Sequence, residues 1–134
     1  MIDYAKQPSE WVWGPYFSVK EFTCKGSGEC LMDPFFMDKL VGIRKEYNAP
    51  MIVSSGYRSP AYNAQVAATG ESGPHTTGRA VDIIVDRGNA YRLLSIALMR
   101  GMTGIGISQK GEGRFIHFDD LDAPTYPRPT IWSY

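Results

Sequence analysis

Excess charge of either sign is missing from this 134-residue chain: 14 Lys and Arg stand against 14 Asp and Glu, a formal net charge of zero. A nucleic-acid-binding domain carries a basic stripe and a membrane-surface helix a basic face, so neither partner is expected. Long apolar runs are missing too. None approaches the roughly 20 residues that a spanning helix needs, so no stable membrane association is expected. The N-terminal MIDYAKQPSE joins no basic segment to an apolar one, which argues against a signal peptide. Cysteine is down to Cys24 and Cys30 around KGSGE, half a zinc site at best and without C-x-x-C pairs. Free thiols, or a small local disulfide formed after release, are the two readings, in either case away from an active site. No internal repeat or linker interrupts the chain, so residues 1–134 read as a single domain, long enough to bury one core without staples. Histidine is scarce as well: there are two, His75 and His117.

What is present is 13% aromatic residues with 14 Gly and 9 Pro, a composition for a loop-rich mixed fold rather than a helical bundle. Ser18 with Glu21 is a capping-box pattern. Asp33-Pro34 opens a helix whose apolar stripe, Phe36, Leu40, Val41, Ile43 and Tyr47, runs to Asn48. Met51-Ile52-Val53 reads as a short strand, and Ser59-Pro60 caps a helix from Ala61 to about Ala68. Gly73-Pro74 forces a turn before His75, and Gly78 lets the chain bend before the strand Ala80–Val85. Asn89–Arg100 is the longest helical pattern. Thr103–Ser108 and Arg114–Asp119 read as an antiparallel hairpin, and the tail is irregular, with Ile131-Trp132 covering one side of the sheet. The expectation is an α+β domain: a small antiparallel sheet, flanked by helices, whose central strands present the functional side chains.

Alternate residues of a strand share a face, so His117 and Asp119 point one way while Ile116 and Phe118 enter the core. Asp82 and Ile84 likewise oppose Val81 and Ile83. Two adjacent strands can therefore bring Asp82 to His117, and the Gly-Pro turn can swing His75 over both. Two imidazoles and one carboxylate make a three-ligand metal site with open positions, the set zinc uses for hydrolysis and also the triad of non-haem iron oxygenases. Ordinary core or surface histidines are the plain alternative.

SSGYRSP, then Asn63, then PHTTGRAVDI and IHFD, resemble the M15 family of zinc peptidases, the D-Ala-D-Ala carboxypeptidase-like enzymes of bacterial cell-wall peptides, and particularly its small phage members, which include endolysins. The resemblance runs from about Phe17 to Trp132. It implies the Hedgehog/DD-peptidase-like fold, one Zn2+ ion held by His75, Asp82 and His117, and peptidoglycan stem peptides as substrate. It also implies a monomer made in the host cytoplasm that acts on the wall after release to the periplasm. The same fold serves without hydrolysis in the Hedgehog signalling domain, so a metal-binding but non-catalytic wall-peptide module is the alternative.

Arg58 is an always-charged guanidinium able to stabilise an oxyanion or to hold a substrate carboxylate, and the Tyr-Arg element of the family implies the same role. Ser55 and Tyr57 beside it are candidates for substrate binding or for loop packing. Many M15 members carry the general base three residues before the last histidine, where this chain has Arg114. The remaining candidates are Asp119, on the ligand face as base or as partner of an imidazole, and Glu112, in the hairpin loop. A serine expected two residues before the first histidine is Gly73 here.

Overall fold

A computed structural model describes all 134 residues, and its helices start where short polar side chains can cap them. Helix α1 (Val19–Phe22) begins at Ser18, whose backbone N–H and hydroxyl both donate to the Glu21 carboxylate, at 2.6 and 3.0 Å. In α2 (Pro34–Tyr47) the Asp33 carboxylate accepts from the Phe36 N–H, and the helix ends at Asn48 in the left-handed conformation that asparagine tolerates. Its buried side is Phe36, Met37, Leu40, Ile43 and Tyr47. Ser59 caps α3 (Pro60–Val66), which stops short of the expected Ala68. Helix α4 (Arg87–Met99) packs on α2.

The five strands are β1 (Ile52–Ser55), β2 (Ala80–Ile84), β3 (Gly104–Ser108), β4 (Phe115–Asp119) and β5 (Thr130–Ser133), in the order β1-β2-β4-β3-β5. The hairpin of β3 and β4 is antiparallel as expected, and β2 lies antiparallel on the other side of β4. The tail departs from expectation. Residues 130–133 do not cover the sheet but extend it, pairing parallel to β3, so the sheet is mixed rather than antiparallel throughout. The reason is topological. β4 ends beside the start of β3, and the connection 120–129 crosses that end, which leaves the chain to run in the direction of β3.

Pleating divides the sheet. Val81, Ile83, Ile105, Ile116 and Phe118 point to the helices and are buried with Phe17, Phe22, Met32 and Leu93. Each such side chain contributes about 1.5–3 kcal/mol on leaving water, so this face holds the sheet to its helices without help from a metal. Tyr4, Trp11 and Trp13 close the core edge-to-face. Cys24 and Cys30 are both buried in it as free thiols. The opposite face carries Asp82 on β2, His117 and Asp119 on β4, Gly104 and Gly106 on β3, and Trp132 on β5.

Candidate metal centre

His75 sits on the 3-10 turn Pro74–Thr77, with its Nδ1 2.8 Å from the carbonyl oxygen of Gly56. A carbonyl only accepts, so Nδ1 carries the proton and Nε2 is left with a lone pair, 3.2 Å from Asp82 Oδ1. His117 is arranged the other way round. Its Nε2 donates to Asp119 Oδ2 at 2.7 Å, and its Nδ1 faces Asp82 Oδ1 at 3.0 Å. The β2–β4 register makes this meeting possible, because Asp82 and His117 are direct cross-strand partners. His75 Nε2, Asp82 Oδ1 and His117 Nδ1 thus converge, all ligand atoms lying within 4.8 Å of one another in a buried setting. Three lone-pair-bearing atoms at such distances repel unless a cation stands among them. A tetrahedron with bonds of about 2.0–2.1 Å has edges of about 3.3 Å, close to the two separations seen here.

The electrostatics agree. Burial pushes the Asp82 carboxyl up, but His75 and His117 beside it outweigh that and hold it well below the usual carboxylate range. Burial disfavours charge on His117, yet its bonds to Asp119 and Asp82 raise its affinity for a proton above that of an ordinary imidazole. The site attracts positive charge, as a proton or as a metal ion. Its open side is a cleft of about 720 Å³ whose walls include Arg58, Val66, Pro74, Tyr126, Trp132 and Tyr134. A smaller hollow of about 270 Å³ runs along β1 past Ser54, Ser55 and Lys25, and the two share Arg58, Val66, Asp82 and Phe115. The candidate metal centre therefore lies on one groove with two arms.

The family model described as Peptidase M15 matches residues 15–119, most of the chain and all three converging ligands. The chain belongs to the peptidase M15 family. No curated protein matches it. As an M15 peptidase it belongs among metal-dependent peptidases, and His75, Asp82 and His117 are the group that can hold the ion.

Around that group this M15 peptidase arranges its other candidates unequally. Arg58 is at the site: its backbone N–H donates to the His75 carbonyl at 3.1 Å, and its Nη2 lies 3.8 Å from Asp82 Oδ2. Its Nη1 donates at 3.2 Å to Asn63 Oδ1, and buried Asn63 in turn donates to Thr69 Oγ1 and to the Gly70 carbonyl. Thr69 also accounts for Gly73 in place of serine. A β-carbon at Gly73 would lie 2.2 Å from Thr69 Oγ1, so that hydroxyl occupies the space a side chain there would need. Ser55 lines the smaller arm and pairs with Asp82 in register. Tyr57 borders the same arm, but its ring belongs to the hydrophobic core.

Asp119 is in place but fully committed. It is 0% exposed and accepts from His117, from Leu121 N–H and, bidentately at 2.8 Å, from Arg128 Nε and Nη2. Burial raises its carboxyl, while the bonds from His117 and Arg128 outweigh this and bring it to about 2. A carboxylate so held orients His117 and has no free oxygen for a substrate proton. Glu112 is not brought to the cluster. Gly111 and Gly113, both at positive φ, turn the hairpin toward the start of α4, and Glu112 lines a separate hollow with Tyr47, Asp86 and Arg87. Asp120 is likewise engaged, by Lys39 and Arg79. The sequence reading missed Arg128, Trp132 and Tyr134, which reach the cleft because β5 pairs with β3; nothing local in DAPTYPRPTIWSY signals that pairing.

Proposed function

We propose that this M15 peptidase is a zinc-dependent peptidoglycan peptidase that hydrolyses an amide bond in the stem or cross-link peptide of the cell wall. The observation that carries the proposal is the convergence of two imidazole lone pairs and a carboxylate oxygen on the wall of an open groove. Two nitrogens and one oxygen are a donor set that suits zinc and would leave a position open for chemistry. A zinc ion held there would polarise the scissile carbonyl and acidify a water toward neutral pH.

The chain's own residues do the rest. The Gly56 carbonyl and the Asp119 carboxylate each hold one imidazole in the tautomer that leaves its other nitrogen free. Arg58, steadied by Asn63, offers a guanidinium at the junction of the two arms, where it can meet a substrate carboxylate or charge developing on the scissile carbonyl. Val66, Pro74, Phe115 and Trp132 give the larger arm apolar walls. The smaller arm, which continues past Asp82 along β1, favours a peptide running through the groove, and so an internal amide over a terminal residue.

Its resemblance to phage enzymes supports a role as an endolysin: a monomer that waits in the host cytoplasm and reaches the wall when the inner membrane is opened. Purified protein incubated with zinc and sacculi should release muropeptides whose masses identify the bond cut. Intact sacculi after incubation with stoichiometrically zinc-loaded protein would refute the reading. One observation favours the second reading, a metal-holding module that binds wall peptides without cutting them: beyond the ligand Asp82, no carboxylate of the groove wall near the ligands is free to take a proton. Peptide binding without turnover in the same experiment is its signature.

A further inference from the structure

Gly106 occupies a special position in the sheet. It is the cross-strand partner of His117 on one side and of Trp132 on the other, so it lies between a metal-ligand candidate and the edge strand. A β-carbon built on it would stand 2.6 Å from Trp132 Nε1 and 2.9 Å from Tyr134 Oη. An indole N–H and a phenol O–H therefore meet over one bare stretch of backbone, beside His117 and on the wall of the larger arm.

Both rings are held. The Trp132 ring lies 5.1 Å from the His117 ring, with the Arg128 guanidinium, itself locked to Asp119, 5.1 Å from its centre. The Tyr134 ring rests 5.0 Å from that of Phe115. Burial and the nearby carboxylates raise the Tyr134 phenol, outweighing the Trp132 indole N–H and the Arg58 charge beside it, so at neutral pH it keeps its proton and remains a donor. Arg58 is the other donor that the groove brings near the ligands; Asp82 and the free imidazole nitrogens are acceptors, and the Ser72 carbonyl is taken by the Tyr126 hydroxyl. The family match ends at Asp119, so neither residue lies within the matched range.

We propose that Trp132 Nε1–H and the Tyr134 hydroxyl form a donor pair that hydrogen-bonds the carbonyl oxygen of the scissile amide and stabilises its tetrahedral oxyanion. This rests on the peptidase reading above and adds to it the groups that would bind the developing charge together with Arg58. Rigid neutral donors suit the task because they need no reorganisation as the charge appears, and removing one such donor typically costs about 10²–10³-fold in kcat.

The test uses the zinc-loaded full chain, a cross-linked muropeptide as substrate and a phosphinate peptide as a tetrahedral probe. Tyr134→Phe removes one oxygen and keeps the ring on Phe115. It should lower kcat by about 10²-fold with KM changed less than about threefold, and weaken phosphinate binding by a similar factor. Zinc stoichiometry and melting temperature should match those of the parent. Trp132→Phe, which keeps an aromatic ring against His117, should show the same pattern. A Tyr134→Phe protein with kcat and phosphinate affinity within about twofold of the parent overturns the donor pair while leaving the peptidase reading intact. A parent that neither cleaves the muropeptide nor binds the phosphinate overturns both.

Discussion

Arg128→Ala removes a cation from a place where the anion cannot follow it out. Asp119 is 0% exposed and Arg128 nearly so; the two share a bidentate contact at 2.8 Å over the bare backbone of Gly104, where a β-carbon would come within 2.2 Å of the carboxylate. Without Arg128 the Asp119 charge keeps only His117 and the Leu121 N–H as partners. Breaking a buried pair on one side costs about 3–5 kcal/mol, a large part of the roughly 5–15 kcal/mol that stabilises a domain. At about 3–5 °C per kcal/mol for a chain of this size, the melting temperature of the metal-free protein should fall by roughly 10–20 °C. Asp119→Asn in the same background removes the stranded charge, so the double variant should be more stable than the sum of the two single losses implies. The pair also steadies the carboxylate that orients His117, so zinc affinity of the folded Arg128→Ala protein should drop by about 10–100-fold. Thermal denaturation with chelator and zinc titration below the transition measure the two effects separately. A melting shift under about 3 °C, or strictly additive losses in the double variant, would refute the reasoning, because a buried uncompensated carboxylate cannot be that cheap.

Other expectations follow from the same geometry. His75→Ala or His117→Ala should lose stoichiometric zinc while keeping native circular dichroism, since the opposite sheet face supplies a core of its own; full metal occupancy in either variant would remove that residue from the ligand set. Arg58→Ala should reduce turnover by about 10²–10³-fold with zinc retained, and Arg58→Lys should restore only part of it, whereas near-normal rates in the alanine variant would leave Arg58 a structural role. Glu112→Gln should turn over like the parent, because Glu112 faces a different hollow, and a dead Glu112→Gln enzyme would mean that the hairpin rearranges around substrate. The raised proton affinity of His117 means that zinc displaces a proton near neutral pH, so calorimetry in buffers of different ionisation enthalpy should show proton release and weaker binding as the pH falls. In the metal-free protein that same raised value stabilises the fold below about pH 6.5 and less as the pH rises through it, while Asp119, at about 2 against an ordinary 3.8, stabilises it above about pH 4 and progressively less down to 2. Melting temperatures that hold constant from pH 4 to 2 would contradict the second half of that statement.

The candidate ligand set was legible in the chain because its determinants are local. A strand alternates its faces whatever surrounds it, so Asp82 and His117 had to face away from Val81, Ile83, Ile116 and Phe118, and Gly73-Pro74 had to turn the chain at His75. The helix caps at Ser18, Asp33 and Ser59 were readable for the same reason: each hydrogen bond joins residues three apart. Which carboxylates were available was not readable. Asp119 and Glu112 are equally acidic in the sequence, and only the sheet distinguishes them, by closing Arg128 over one and turning the hairpin that carries the other toward α4. Trp132 and Tyr134 met the cleft through a parallel pairing between β3 and a tail more than twenty residues further on. Such contacts depend on how the chain crosses the end of the sheet and on the entropy of closing that loop, quantities that no local pattern of residues encodes. The sequence alone determined which atoms can bind a metal; the tertiary structure decided which of their neighbours are free to act on a substrate.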